Sequence, residues 1–289
     1  MLRTLCIVLT SLLLVAGCSS TKLAYRYADW GIVWWVDDYI PMTSVQESRL
    51  EQDIRDLRHW HCSTELPRYS QWLTQLESDV GGGDLDEPTV VWHQEKLFSF
   101  LPPLIERATP AVVRLLASLD DEQVRQLAAN MEESQKEMEE EFLADDPEKT
   151  GAARAERTSE RVERWLGPLN GRQRETVRIW SEARGEQTQI WLEGRRNWQQ
   201  ALLGAIEERD SDSFADRISY LIDNNEEVRG ERYQQMMSES RPAMAQLMTE
   251  LLQQADQRHL DHLVARAKEL AGDFDTLACV GEDTENQNS

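Results

Sequence analysis

Thr43-Ser44-Val45-Gln46 is a stretch that predicts where a helix begins. The Thr43 hydroxyl can cap the first turn, and the Gln46 side chain can bond back to the backbone N–H of the cap. Stretches of the same kind recur at Leu119–Gln123 and Leu169–Gln173. Their cap positions are separated by 77 and then by 50 residues, so the sequence lacks the regular period of a solenoid. The chain therefore predicts separately capped helices of unequal length.

Apolar residues recur at helical spacing between these starts, and Pro or Gly residues mark the breaks. The predicted helices are about 43–61, Glu65 to Gly81, two short helices within 88–118 broken at Pro102-Pro103, a helix from Asp121, one from Asn170 to about 209, one to about 239 and a last one that opens at Pro242. No segment alternates with period two, and helix-forming residues dominate. The predicted fold class is all-α, an irregular bundle of about eight to ten helices, forming one domain over 18–280 with a possible sub-division near 145.

Residues 22–40 form an aromatic segment that has two interpretations. Leu23, Tyr27, Trp30 and Trp34 recur at helical spacing, and Pro41 ends the segment. Trp and Tyr prefer the membrane interface, so the segment could be an aromatic anchor. We favour a helix buried on two sides in the core, because the aspartates at 29, 37 and 38 would be poorly placed beside anionic head groups.

The first 17 residues have the pattern of a cleaved signal peptide. Arg3 supplies a positive charge, and the apolar run from Leu5 to Ala16 is shorter than the about 20 residues that span a bilayer. Val15-Ala16-Gly17-Cys18 resembles the lipobox of bacterial lipoproteins. That resemblance implies that Cys18 carries diacylglycerol and becomes the mature N-terminus. By the same resemblance, Ser19 as the residue after the lipid-carrying Cys favours the outer membrane over the inner membrane, with the protein facing the periplasm.

The remaining cysteines of the mature chain, Cys62 and Cys279, form an even pair. The periplasm oxidises thiols, so we predict a disulfide between them. Two buried free thiols are the alternative. A disulfide here would close nearly the whole mature chain, and a loop of that length is worth about 5 kcal/mol in the chain-entropy model.

The composition is strongly acidic. The formal net charge is −22 for the full chain. A field of that sign repels DNA and RNA, so we expect no nucleic-acid partner. The residues 281–289 are small, polar and acidic, which predicts a disordered tail.

The residues 18–80 resemble a family of proteobacterial lipoproteins of unknown function. The resemblance is carried by Cys18, Leu23-Ala24-Tyr25, Ala28-Asp29-Trp30, Trp34-Trp35-Val36-Asp37-Asp38-Tyr39, Thr43-x-x-Gln46, Trp60-His61-Cys62 and Glu65-Leu66-Pro67-Arg68-Tyr69. It implies an all-helical fold and a membrane address, and it supplies no catalytic residue.

Candidate chemistry is sparse in this sequence. His59-x-His61-Cys62, with His259 and His262 as further candidates, has residue types that bind zinc, but a disulfide at Cys62 would remove the thiolate. The chain lacks a Gly-x-Ser-x-Gly elbow and a His-Glu-x-x-His motif. We therefore expect no enzyme activity, no metal and no cofactor.

Two classes of function remain. The first is a lipoprotein that is held on the bilayer by acylated Cys18 and has a structural or interaction role with an unidentified envelope protein. The alternative is a periplasmic chaperone-like holdase, because the helix-start stretches resemble the Leu-Thr-x-x-Gln motif of small periplasmic chaperones. Leu119–Gln123 and Leu169–Gln173 depart from that motif at the Thr, and a capping box explains all three stretches.

Overall fold

The structure is a computed structural model that describes residues 20–83, 85–144 and 146–279. The helices are α1 Ser20–Arg26, α2 Ala28–Tyr39, α3 Ser44–Trp60, α4 Leu66–Gly82, α5 Glu87–Phe98, α6 Leu101–Ala117, α7 Asp121–Phe142, α8 Pro147–Leu166, α9 Gly171–Ala183, α10 Gln187–Ile206, α11 Phe214–Asp223, α12 Asn225–Val228, α13 Glu231–Gln253 and α14 Gln257–Leu277. A π-helical turn, His61–Glu65, joins α3 to α4. The described ranges contain no β-strand, so the predicted all-α class is confirmed.

The helices in the described ranges are more numerous than the eight to ten predicted, because several predicted helices are broken, two of them at glycines. The helix expected from Asn170 to about 209 stops at Ala183 and restarts at Gln187. Gly185 between them has φ +47°, a left-handed conformation that glycine adopts readily. The helix expected to reach about 239 is broken at Gly230, which has φ +104°.

All three predicted helix starts are capping boxes, and two of them bind each other. Thr43, Asp120 and Asn170 each accept from the backbone three residues on, and the Gln there bonds back. The buried Gln46 and Gln123 side chains exchange amide hydrogen bonds of 3.1 and 2.7 Å. Each side chain also donates to a backbone carbonyl two residues before the other cap. Gln46 donates to the Ser118 carbonyl, and Gln123 donates to the Pro41 carbonyl.

A fourth capping box, not predicted from the sequence, forms a matching junction. Asp256 caps α14 with the buried His259 in the place taken elsewhere by Gln. His259 Nε2 lies 3.1 Å from the carbonyl of Pro168, two residues before the Asn170 cap. Pro242, predicted to open the last helix, lies inside α13 instead. The starts of α3 and α7 are therefore joined by two side-chain amides, and those of α9 and α14 by side chains that bond backbone carbonyls.

Two large hydrophobic clusters lie behind these junctions. The first joins Ile40 and residues of α6, α7, α10 and α11. The second joins residues of α4, α8, α9, α13 and α14. Both clusters draw residues from each side of position 145, and a sub-division of the chain there stays a prediction.

None of the helices in the described residues has both the length and the apolar character that crossing a membrane requires.

Candidate functional site

The helices α1 and α2 carry an exposed aromatic face made of Leu23, Tyr27, Trp30, Trp34 and Trp35. Trp30 and Trp34 are 70% and 60% exposed, and their rings stack with centroids 6.5 Å apart. The expectation that this segment is buried on two sides is wrong. One side of α2 is covered, where Val33 and Val36 pack against Leu50 and Ile54 of α3, and the opposite side is open.

Polar contacts fix α1 and α2 to the body of the protein. Lys22 forms an ion pair of 3.1 Å with Asp273 of α14, and Arg58 of α3 forms one of 2.9 Å with Asp29. Tyr25 Oη lies 3.1 Å from Nδ1 of His61 in the π-helical turn, and burial raises the pKa of Tyr25 to about 12. The aromatic face is therefore displayed by a segment that is held in place.

The π-helical turn positions Cys62 beside Cys279, which follows the end of α14. The structure contains the disulfide that the sequence predicts between these residues, with the sulfur atoms 2.00 Å apart. The backbone N–H of Cys279 also donates to the Cys62 carbonyl at 3.2 Å. The nearby carboxylate of Glu65 is buried and accepts two bonds of 2.7 Å from Arg68, which supply the partner that a buried charge requires.

An aromatic cluster lies beside the π-helical turn and the disulfide. The Tyr69 ring lies 5.4 Å from the His61 ring, 4.6 Å from Phe100 and 5.9 Å from Phe274. Burial lowers the pKa of His61 and raises the pKa of Tyr69. The cluster joins α1, α4 and α14 and the loop before α6 at one end of the molecule.

The histidines considered as metal ligands do not come together. The possible ligand atoms of His59, Cys62 and Cys279 lie within 4.8 Å of one another, but both sulfur atoms are used in the disulfide. His259 and His262 lie at the other end of α14, where they contact the carbonyls of Pro168 and Trp165. These two histidines therefore connect α14 to the end of α8.

A second exposed apolar surface lies on α5 and α6, which we call the α5–α6 surface. Its exposed members are Trp92, Leu97, Phe98, Leu101, Ile105 and Val112. Leu101, Ile105 and Val112 repeat at helical spacing, and this is the signal that could have found them in the sequence. Spacing does not tell whether a neighbour covers the stripe. The adjoining groove between α3 and α6, of about 490 Å³, contains an ion pair of 2.7 Å between Arg114 and Asp53.

Some predicted features lie outside the described residues. These are the signal peptide 1–17, the lipid attachment site Cys18 and the tail 281–289.

The fold and these surfaces define an all-helical, disulfide-bonded protein with two exposed apolar surfaces. The chain belongs to a family of unknown function (DUF6279), whose model matches residues 38–234. Membership of a family of unknown function, as predicted, is thereby confirmed, and the matched range overlaps residues 38–80 of the stretch 18–80 that carried the predicted resemblance. No curated protein and no solved structure matches the chain.

Proposed function

We propose that the chain is a lipoprotein of the proteobacterial type, anchored through acylated Cys18 in the outer membrane and facing the periplasm. Its role is to bind another envelope protein rather than to catalyse a reaction. The α5–α6 surface is the observation that supports a binding role, because exposed apolar side chains grouped on two consecutive helices commonly mark an interaction site.

The charge of the chain indicates the chemistry of the partner. The formal net charge is −22, so a partner with basic residues around an apolar patch would complement both the field and the α5–α6 surface. Lipid attachment at Cys18 would place that partner within reach of the same membrane. The Cys62–Cys279 disulfide suits an oxidising compartment.

The anchor is tested by labelling cells with radioactive palmitate. We expect label in the wild-type protein and none in the Cys18→Ser variant, which should also fractionate differently. A wild-type protein without label would overturn the lipoprotein assignment.

The binding role is tested with a photo-crosslinking residue at Leu101 or Ile105 in intact cells. The matched control places the same residue at Glu137, which is exposed on the highly charged helix α7. We expect a discrete adduct with one envelope protein from the α5–α6 positions and none from Glu137. Equal or absent adducts at all three positions would contradict the proposed surface.

The holdase alternative is also favoured by the α5–α6 surface, since an unfolded client would bind exposed apolar side chains. Its other support is the resemblance of the helix-start stretches to a chaperone motif. That support is weaker, because Gln46, Gln123 and Gln173 of those stretches are buried in capping boxes. A holdase should suppress aggregation of a model client at equimolar ratio. It should lose that effect in a Leu101→Asp, Ile105→Asp variant.

A further inference from the structure

We propose that the aromatic face of α1 and α2 lies in the head-group region of the phospholipid bilayer, so that the anchor consists of lipid and protein together. The inference rests on the proposed acylation of Cys18. It adds a second membrane contact and fixes which side of the molecule faces the bilayer.

The residue types of the face suit a lipid interface. Trp and Tyr have large apolar rings and a polar N–H or O–H, and they concentrate where hydrocarbon meets water. Tyr27, Trp30, Trp34 and Trp35 are all more than half exposed. The helices that carry them are too short and too polar to cross a membrane, so the face would lie in the interface plane.

The position of the face selects lipid as the occupant. Ser19 alone separates Cys18 from Ser20, the first residue of α1, so the acyl chains would hold this helix within roughly 7 Å of the bilayer. The ion pair between Lys22 and Asp273 and the contact of Tyr25 with His61 connect α1 to the body of the protein. A second copy or a protein partner has no comparable tether to this face.

The charges beside the face are compatible with phospholipid. Arg26 is exposed near the anchored end and can bind a lipid phosphate. Asp29 is paired with Arg58, and the Asp37 carboxylate accepts a hydrogen bond of 2.9 Å from the Met42 backbone. The aspartates that argued against membrane contact are thus engaged within the protein, except for Asp38 at the far end of α2.

The test uses the acylated full chain in phosphatidylcholine vesicles whose acyl chains are brominated near the head group. Bromine quenches the fluorescence of tryptophans that lie beside it. The face holds three of the ten tryptophans, so we expect partial quenching of the wild-type emission. A Trp30→Ser, Trp34→Ser variant should lose more than about half of the quenched intensity, because two of those three tryptophans are removed. Trp191→Phe is the control, a half-buried tryptophan of α10 that lies beside Phe142 and outside both apolar surfaces, and it should leave the quenched intensity unchanged.

The same samples distinguish the anchor from the face. Vesicle flotation with palmitate label but without quenching would overturn this inference and leave the lipoprotein assignment intact. Equal quenching in the Trp30→Ser, Trp34→Ser variant and the wild type would overturn it as well. If the chain carries no palmitate, the proposed anchor fails, and quenching of the unacylated chain then decides whether the face binds lipid by itself. Crosslinks between two copies through Trp34 positions would show that the face pairs copies, which contradicts the inference.

Discussion

His61 contacts Tyr25 of α1 and is the neighbour of Cys62 in the disulfide, and we expect its contact with Tyr25 to depend on pH. Burial lowers the pKa of His61 below the ordinary value of 6.5. The unfolded chain therefore takes up a proton at this position at a higher pH than the folded chain. The stability that the neutral His61 side chain contributes is therefore complete above about pH 6.5, and it is lost as the pH falls below that value.

We expect the wild type to lose more stability than His61→Gln when the pH falls from about 7.5 to about 5.5. The quantity to compare is the change in unfolding free energy across that range, since the substitution also alters the contact with Tyr25. His59→Gln is the control, because His59 is an exposed neighbour, and it should keep the wild-type pH dependence. An unchanged pH dependence in His61→Gln would refute this explanation.

The buried pair Gln46 and Gln123 is a second feature at the scale of single residues. Replacing Gln123 by Ala removes the capping bond from the Asp120 backbone N–H, the bond to the Pro41 carbonyl and both bonds to the buried Gln46 amide. We expect a loss of about 1–2 kcal/mol in unfolding free energy, from the lost capping bond together with the lost buried bonds between the two amides. Gln126→Ala, on the exposed side of the same helix, should cost less than about 0.5 kcal/mol. Equal losses would show that the pair adds nothing beyond helix propensity.

The contact between α10 and α13 provides a prediction at the scale of elements. A Cβ atom at Gly194 would lie 2.6 Å from the Tyr233 ring, whereas a Cβ atom at Gly204 of the same helix meets nothing within 4 Å. Gly194→Ala should cost about 1–3 kcal/mol through overpacking. Gly204→Ala should stabilise by up to about 1 kcal/mol, because Ala favours the helix. Thermal unfolding of the two variants measures both, and a neutral Gly194→Ala would mean that Tyr233 moves aside.

Sequence patterns predicted the elements whose cause is local. The capping boxes at Thr43, Asp120 and Asn170 depend on residues within one turn, so they could be read directly. The box at Asp256 was missed because His259 replaces the usual Gln or Glu. The break at Gly185 was missed because a lone glycine is tolerated in a helix as often as it ends one.

Exposure of an apolar helix face could not be predicted, because it depends on neighbours distant in the chain. The stripe of Trp30 and Trp34 has the spacing of a core helix, but α3 covers the other side of α2 and nothing among the described residues covers this one. The cysteine pairing could be predicted, since two cysteines lie outside the predicted signal peptide and lipid attachment site. The sequence alone did not reveal that a π-helical turn would aim Cys62 at the end of α14.

At the scale of the whole molecule, α4 packs against α14, a helix that lies about 190 residues later in the sequence. They run antiparallel, with Cys62 bonded to Cys279 at one end and Lys268 paired with Glu77 further along. The two cap junctions tie α3 to α7 and α9 to α14. Residues far apart in sequence thus close the bundle in three places, and only the disulfide does so covalently.

Removing the disulfide should therefore destabilise the bundle as a whole. The two cysteines are separated by 217 residues, and the chain-entropy model gives about 5 kcal/mol for such a loop. We expect a Cys62→Ser, Cys279→Ser variant to lose about 2–5 kcal/mol of unfolding free energy, measured by urea denaturation. Reductant should lower the wild type to the level of this variant and leave the variant unchanged, which separates loss of the crosslink from loss of packing by sulfur. If the variant unfolds at the wild-type urea concentration, the packing of α4 on α14 and the two cap junctions hold the bundle together without the covalent bond.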